Sequence, residues 1–274
     1  MKLINVVVFT NLWISFAAIS CGLSTYILFQ QSPNPYILLL LFGGTLSRYN
    51  YIVFFLKENS KSEKFRYMFE KRNFLKLLFF LGLVISSISS LFFSWTALLF
   101  IAHLGFLSVW YFLALNFGFF KLPKLREIPY IKVFVIAYVW VGSTFLLPIL
   151  DNIVFDSPFL LAYFERIFFL LGITLPFDIR DIAIDKQTNV KTIATKLGVY
   201  KTKILASCFL LVSAFSSFWL YASPFQILIS LSYISFIFLI LKAKQESSEL
   251  HFTGLLDGTM IFQLLLVLIG NYFL

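Results

Sequence analysis

Charge is scarce in this sequence: Asp, Glu, Lys and Arg make up 13% of 274 residues, against 60% hydrophobic ones. Soluble chains carry about 25% charged and 45–50% apolar residues. No water-exposed surface of ordinary composition can be built from so few charges, so the apolar excess must face lipid. Cysteine is scarcer still. Cys21 and Cys208 both lie inside apolar runs, which excludes a disulfide framework or a zinc ribbon as the organising element. The alternation of a transmembrane barrel is missing too, so the backbone must satisfy itself within helices. The net charge of +9 does not point to nucleic acid, because the basic residues lie almost entirely between the apolar runs.

Those runs number nine, at about 6–29, 35–56, 73–93, 95–118, 129–150, 158–178, 201–221, 224–241 and 251–274. Most approach the roughly 20 residues that cross a bilayer core. Phe93-Ser94-Trp95 is all that separates the third from the fourth, so those two are expected to form a tight helical hairpin. Ala18-Ile19-Ser20-Cys21 has small residues like a lipoprotein cleavage site, but the run continues to Phe29 and reads as uncleaved span. There is no linker, low-complexity tail or soluble insertion, so residues 1–274 are expected to form one membrane domain.

The connections alternate in charge. Those after spans two, four, six and eight hold Lys57, Lys61, Lys64, Arg66, Lys71 and Arg72, then Lys121, Lys124 and Arg126, then Arg180, Lys186, Lys191 and Lys196, then Lys242 and Lys244. The intervening ones hold no Lys or Arg. By the positive-inside rule the N-terminus and the four basic connections are cytoplasmic and the C-terminus lies outside, in an inner or plasma membrane.

One cluster of acids stands at the end of the sixth run. Asp178, Asp181 and Asp185 are spaced i, i+3, i+7, which places them within a sector of about 60° on one helix face. Like charges so close oppose one another's ionisation. A divalent cation relieves that repulsion, and magnesium favours carboxylates together with water and phosphates. A solvated helix end, neutralised by Arg180 and Lys186, accounts for the triplet equally.

The stretch from Asp178 to Gly198, with Lys186, Asn189, Lys191, Thr192 and Leu197-Gly198 in order, resembles the second aspartate motif of the UbiA-type membrane prenyltransferase superfamily, D-x-x-D-x-x-x-D followed by a basic residue, a turn, Thr and Leu-Gly. Asn189 stands where that family often has Gly, and both residues accept a left-handed turn. Leu125-Arg126-Glu127-Ile128-Pro129-Tyr130-Ile131-Lys132 is similar to the family's fourth connection. The resemblance implies an all-α bundle of nine transmembrane helices. It also implies an enzyme that uses Mg²⁺ to transfer an isoprenyl group from a prenyl diphosphate to a lipophilic acceptor, aromatic or of the quinone and isoprenoid pathways. Asp178, Asp181 and Asp185 would be the metal ligands. Asn50, Arg48, Arg126, Lys132, Lys186 and Lys191 would meet the diphosphate, and some of the 36 Phe would line a cavity for the tail. The partners implied are lipid, prenyl diphosphate and acceptor, with no nucleic acid and no protein partner.

The family's first motif, N-D-x-x-D-x-x-x-D, belongs at the end of span two. Here Asn50 fits its leading Asn, but Tyr51 and Phe54 replace acids, and Glu58 is the one carboxylate left as a metal ligand. That departure keeps a second possibility open: a UbiA-like protein that binds lipid or diphosphate with impaired catalysis. An ion-coupled transporter is less favoured, because no internal repeat or paired broken helices are visible. A CDP-alcohol phosphotransferase would need D-G-x-x-A-R ahead of the triplet, which this sequence lacks. Glu165 and Arg166 read as a structural pair inside span six, His103 as a bundle histidine, and Asp257 as a residue able to reach the cytoplasmic cavity mouth.

Overall fold

The computed structural model describes residues 3–56, 63–118 and 120–273, and its elements are almost all helical. The helices are α1 (Leu3–Phe9), α2 (Leu12–Leu28), α3 (Pro35–Asn50), α4 (Glu63–Glu70), α5 (Arg72–Ser90), α6 (Trp95–Phe112), α7 (Lys132–Val141), α8 (Leu147–Ile149), α9 (Ser157–Gln187), α10 (Ile193–Leu220), α11 (Phe225–Lys242) and α12 (Asp257–Tyr272). Seven continuous segments are long and apolar enough to cross a membrane: Pro35–Phe55, Arg72–Ser90, Trp95–Phe112, Lys132–Asn152, Ile193–Leu220, Phe225–Lys242 and Leu250–Tyr272. Beyond these, α2 is a shorter apolar helix, and α9 is a 31-residue helix carrying Glu165 and Arg166 within its apolar part.

Several ends differ from the sequence expectation. The first run is not one helix: Asn11 takes a left-handed backbone, φ 62°, and splits α1 from α2. The fourth run ends at Phe112, and Leu115–Phe117 pairs antiparallel with Phe120–Leu122 in a small hairpin. The sixth extends well past 178, because nothing between Asp178 and Gln187 breaks the helix. The connection expected to make a tight hairpin is short, with α5 ending at Ser90 and α6 capped by Ser94, whose hydroxyl accepts from the Ala97 amide at 3.3 Å, but the two helices do not pack along each other.

The helices pack in succession about the bundle axis, and the 142–146 turn after α7 meets α2. α9 packs between α7 and α10, α11 lies against α10 and α12, α12 against α2, and α2 against α3. α5 packs along α3, and Gly43 and Gly82 meet there. A Cβ on Gly82 would sit 2.6 Å from the Gly43 carbonyl oxygen. Small residues of this kind let membrane helices approach by van der Waals contact where no hydrophobic effect draws them together. Outward-facing Phe, Leu and Trp side chains are left bare, Trp219 at 70% exposure among them, as a lipid-facing surface requires.

The bundle interior also buries a polar group. Glu165 and Arg166 form an ion pair at 3.4 Å, the Tyr233 hydroxyl donates to Glu165, and Arg166 donates to Gln263 Oε1 at 3.0 Å. Three helices, α9, α11 and α12, are thereby tied at membrane depth.

Candidate active site

The triplet lies on the last three turns of α9. Asp178 and Asp185 are buried, while Asp181 keeps a quarter of its side chain exposed. After Gln187 the chain reverses through Asn189 at φ 57°, the left-handed turn that its sequence position suggests. The Val190 amide then donates to Asp185 O at 2.8 Å, and Thr192 and Thr195 form a capping box at the start of α10. This turn grips the preceding connection, because Tyr130 N–H donates to the Lys191 carbonyl at 2.8 Å. Two residues later α7 begins with Lys132.

That docking delivers Lys132 into the triplet. Its Nζ lies 2.7 Å from Asp178 Oδ1, 3.3 Å from Asp185 Oδ2 and 3.6 Å from Asp181 Oδ2. Arg180 holds Asp181 from the other side at 2.8 Å and reaches Glu249 at 3.3 Å. Burial alone would push the Asp181 carboxyl up, but Arg180 and then Lys132 outweigh it and hold the carboxyl below its ordinary value.

The other sequence candidates are distributed unevenly. Arg48 stacks 3.8 Å above the Phe112 ring, and Arg126 lies 5.7 Å from the same ring. Tyr111 sits among Arg48, Arg126, Lys132 and Asp178, close enough to feel all four charges. The two arginines are therefore brought to the triplet's neighbourhood. Lys186 and Lys191 are exposed and make no ion pair among the described residues. Asn50 is fully buried: its Oδ1 accepts from Asn11 Nδ2 at 3.1 Å, and its Nδ2 donates to the carbonyls of Thr10 and Leu46 at 3.1 and 3.0 Å. Glu58 lies outside the described residues.

Two residues that the sequence does not single out for the site, Lys64 and Glu249, also meet here, beside Asp257. Lys64, on α4, donates to Asn11 Oδ1 at 3.0 Å and faces Asp257, Glu249 and Arg180. Burial pulls its ammonium down to about 8. Asp257, the first residue of α12, is 9% exposed and faces Lys64 and Arg180. In the sequence, Lys64 is one of six basic residues in its connection; only the broken first helix shows which of them points inward.

Beside this charged end, between α3, α5, α6 and α7, lies a cavity of about 510 Å³. Leu41, Leu83, Ile101, Val109, Phe112 and Trp140 make it apolar, and Arg48 stands in its wall.

No family model matches the sequence, and neither does any curated protein. In three dimensions the chain matches the solved structure of a digeranylgeranylglyceryl phosphate synthase with a TM-score of 0.58, over 98% of this chain and 99% of that one, at 18% identity. The fold is that of a UbiA-type prenyltransferase.

Within the UbiA-type fold, the metal implied by the resemblance meets an obstacle in these residues. The three carboxylates converge on one point, as cation ligands do, but that point is filled by Lys132 Nζ. Magnesium needs oxygens at about 2.0–2.1 Å, inside the space the ammonium takes. Among the described residues no group of three or more His, Cys, Asp or Glu is set to hold a metal ion. With Lys132 in place, the triplet does not fit magnesium.

Proposed function

We propose that this chain transfers an isoprenyl group from its diphosphate to a lipophilic acceptor, aromatic or of the quinone and isoprenoid pathways, within an inner or plasma membrane. The observation that carries the proposal is the juxtaposition of a charged end of the bundle, built from Asp178, Asp181, Asp185, Lys132 and Arg180, with an apolar cavity large enough for a prenyl tail. Nine spans, a cytoplasmic N-terminus and an external C-terminus go with it, supported by the alternation of Lys and Arg between the apolar runs.

In this reaction the bond between the allylic carbon and the diphosphate oxygen breaks, and both electrons leave with diphosphate. The allylic cation then alkylates the acceptor, which loses a proton. Lys132, Arg126 and Arg48 are placed to stabilise the leaving anion as its charge develops. Burial strengthens that effect by excluding water. The ring of Phe112 and the cavity walls keep water from the cation.

The resident Lys132 ammonium and the residues Tyr51 and Phe54 favour one other possibility, a protein that binds prenyl diphosphate without turning it over. The purified full chain in detergent, given radiolabelled prenyl diphosphates, Mg²⁺ and a membrane lipid extract, separates the two. Transfer predicts diphosphate release with a labelled lipid product, both lost in Asp181→Asn. Saturable binding with no release points to the second reading, and neither binding nor release removes both.

A further inference from the structure

We propose that Lys132 and a divalent cation are mutually exclusive occupants of the aspartate triplet, so that metal enters only as the ammonium leaves. The inference builds on the prenyl-diphosphate reading above, since that anion gives the displaced ammonium somewhere to go. The steric part rests on Nζ standing 2.7, 3.3 and 3.6 Å from the three carboxylates. A metal ion bound to the same oxygens would overlap it, and two cations would repel at short range.

Charge makes the exchange sensible. Three carboxylates with Lys132 and Arg180 leave one negative charge. Replacing the ammonium by a divalent ion leaves none, and releases a positive group on a flexible stem. Arg180 need not move, because it grips Asp181 from the opposite side through Nε and also holds Glu249. Lys132 is the first residue of α7, and Tyr111 lies near enough to it, Arg126 and Arg48 to feel all three charges. An ammonium swung in that direction joins two guanidinium groups that both lie against Phe112, where a diphosphate would be welcome and an empty site would repel it.

Mn²⁺ titration of the full chain in detergent, followed by loss of the free-ion EPR signal, tests this. Lys132→Gln is expected to bind Mn²⁺ at least tenfold tighter than the native chain. Lys132→Arg, which keeps the charge, is expected to match the native chain, and the gain should vanish in Lys132→Gln combined with Asp181→Asn. In case Lys132→Gln does not fold, the native chain gives a second readout. Acylation of Lys132 by an amine-reactive ester, read by mass spectrometry, should rise as Mn²⁺ saturates the triplet. Mn²⁺ affinity unchanged in Lys132→Gln, or Lys132 labelling indifferent to Mn²⁺, overturns the exclusion. A parallel assay of radiolabelled prenyl-diphosphate binding keeps the two ideas apart. Normal binding beside unchanged Mn²⁺ affinity sinks the exclusion alone. Tighter Mn²⁺ binding with no prenyl-diphosphate binding upholds the exclusion and sinks the functional proposal.

Discussion

Asn11 donates its side-chain amide to Asn50 across 3.1 Å, at the point where the first apolar run breaks between α1 and α2. The contact commits Asn50, the leading residue of the partial first motif, to the joint between α1, α2 and α3. Its remaining amide hydrogens go to Thr10 and Leu46. Through Asn11 the same joint also holds Lys64. The leading residue of that partial motif therefore also fastens a helix break.

Replacing Asn50 by Leu would leave Asn11 Nδ2 and the Thr10 carbonyl without their buried partner. The expected loss is about 1–3 kcal/mol of stability, read as a lower thermal midpoint in detergent. If the midpoint is unchanged while prenyl-diphosphate binding disappears, Asn50 is a ligand first and a fastener second.

Gly82 faces the backbone of α3 with no room for a side chain. A methyl group there would meet Gly43 O at 2.6 Å and Ser47 N at 2.9 Å, neither of which can yield without moving the helix. Gly82→Ala should therefore cost about 1–3 kcal/mol by overpacking. Gly105, whose Cβ would meet nothing within 4 Å, should tolerate the same change. Equal midpoints for the two variants would refute the close α3–α5 contact.

Removing one partner of the Glu165–Arg166 pair leaves a charge buried among α9, α11 and α12. Arg166→Met should destabilise by about 3–5 kcal/mol, while Glu165→Leu with Arg166→Met should recover much of that loss. Unfolding in denaturant of the two single variants and the double variant measures the difference. An additive double variant would mean that the two side chains do not act as a pair.

Lys64 gives a pH dependence of definite sign. Burial lowers its folded-state value from 10.5 to about 8, so between those limits the unfolded chain binds more protons than the folded one. Stability should therefore rise with pH from about 8 to 10.5, and Lys64→Met should flatten that rise. Site-resolved acylation of Lys64 should climb through pH 8, well before ordinary lysines react. A Lys64 labelling midpoint near 10.5 would contradict its half-buried placement beside Asn11.

Much of this protein is local, and local features are legible in a chain. Hydropathy and charge alternation mark membrane helices; the i, i+3, i+7 spacing puts Asp178, Asp181 and Asp185 on one face of α9; Asn189 takes the left-handed turn that its type permits. Helix ends were less legible. The break at Asn11 and the hairpin after Phe112 lie inside apolar stretches with no charge or proline at the break itself, so hydropathy runs straight through them. The pairing of distant residues needed the tertiary structure. Lys132 reaches the triplet because Tyr130 hydrogen-bonds to the turn after α9, and Lys64 reaches the same end because Asn11 breaks the first helix. Helix periodicity fixes which side chains share a face, whereas which cation meets that face depends on how separate helices pack. The acids were decided by sequence, and their counter-ion by the fold.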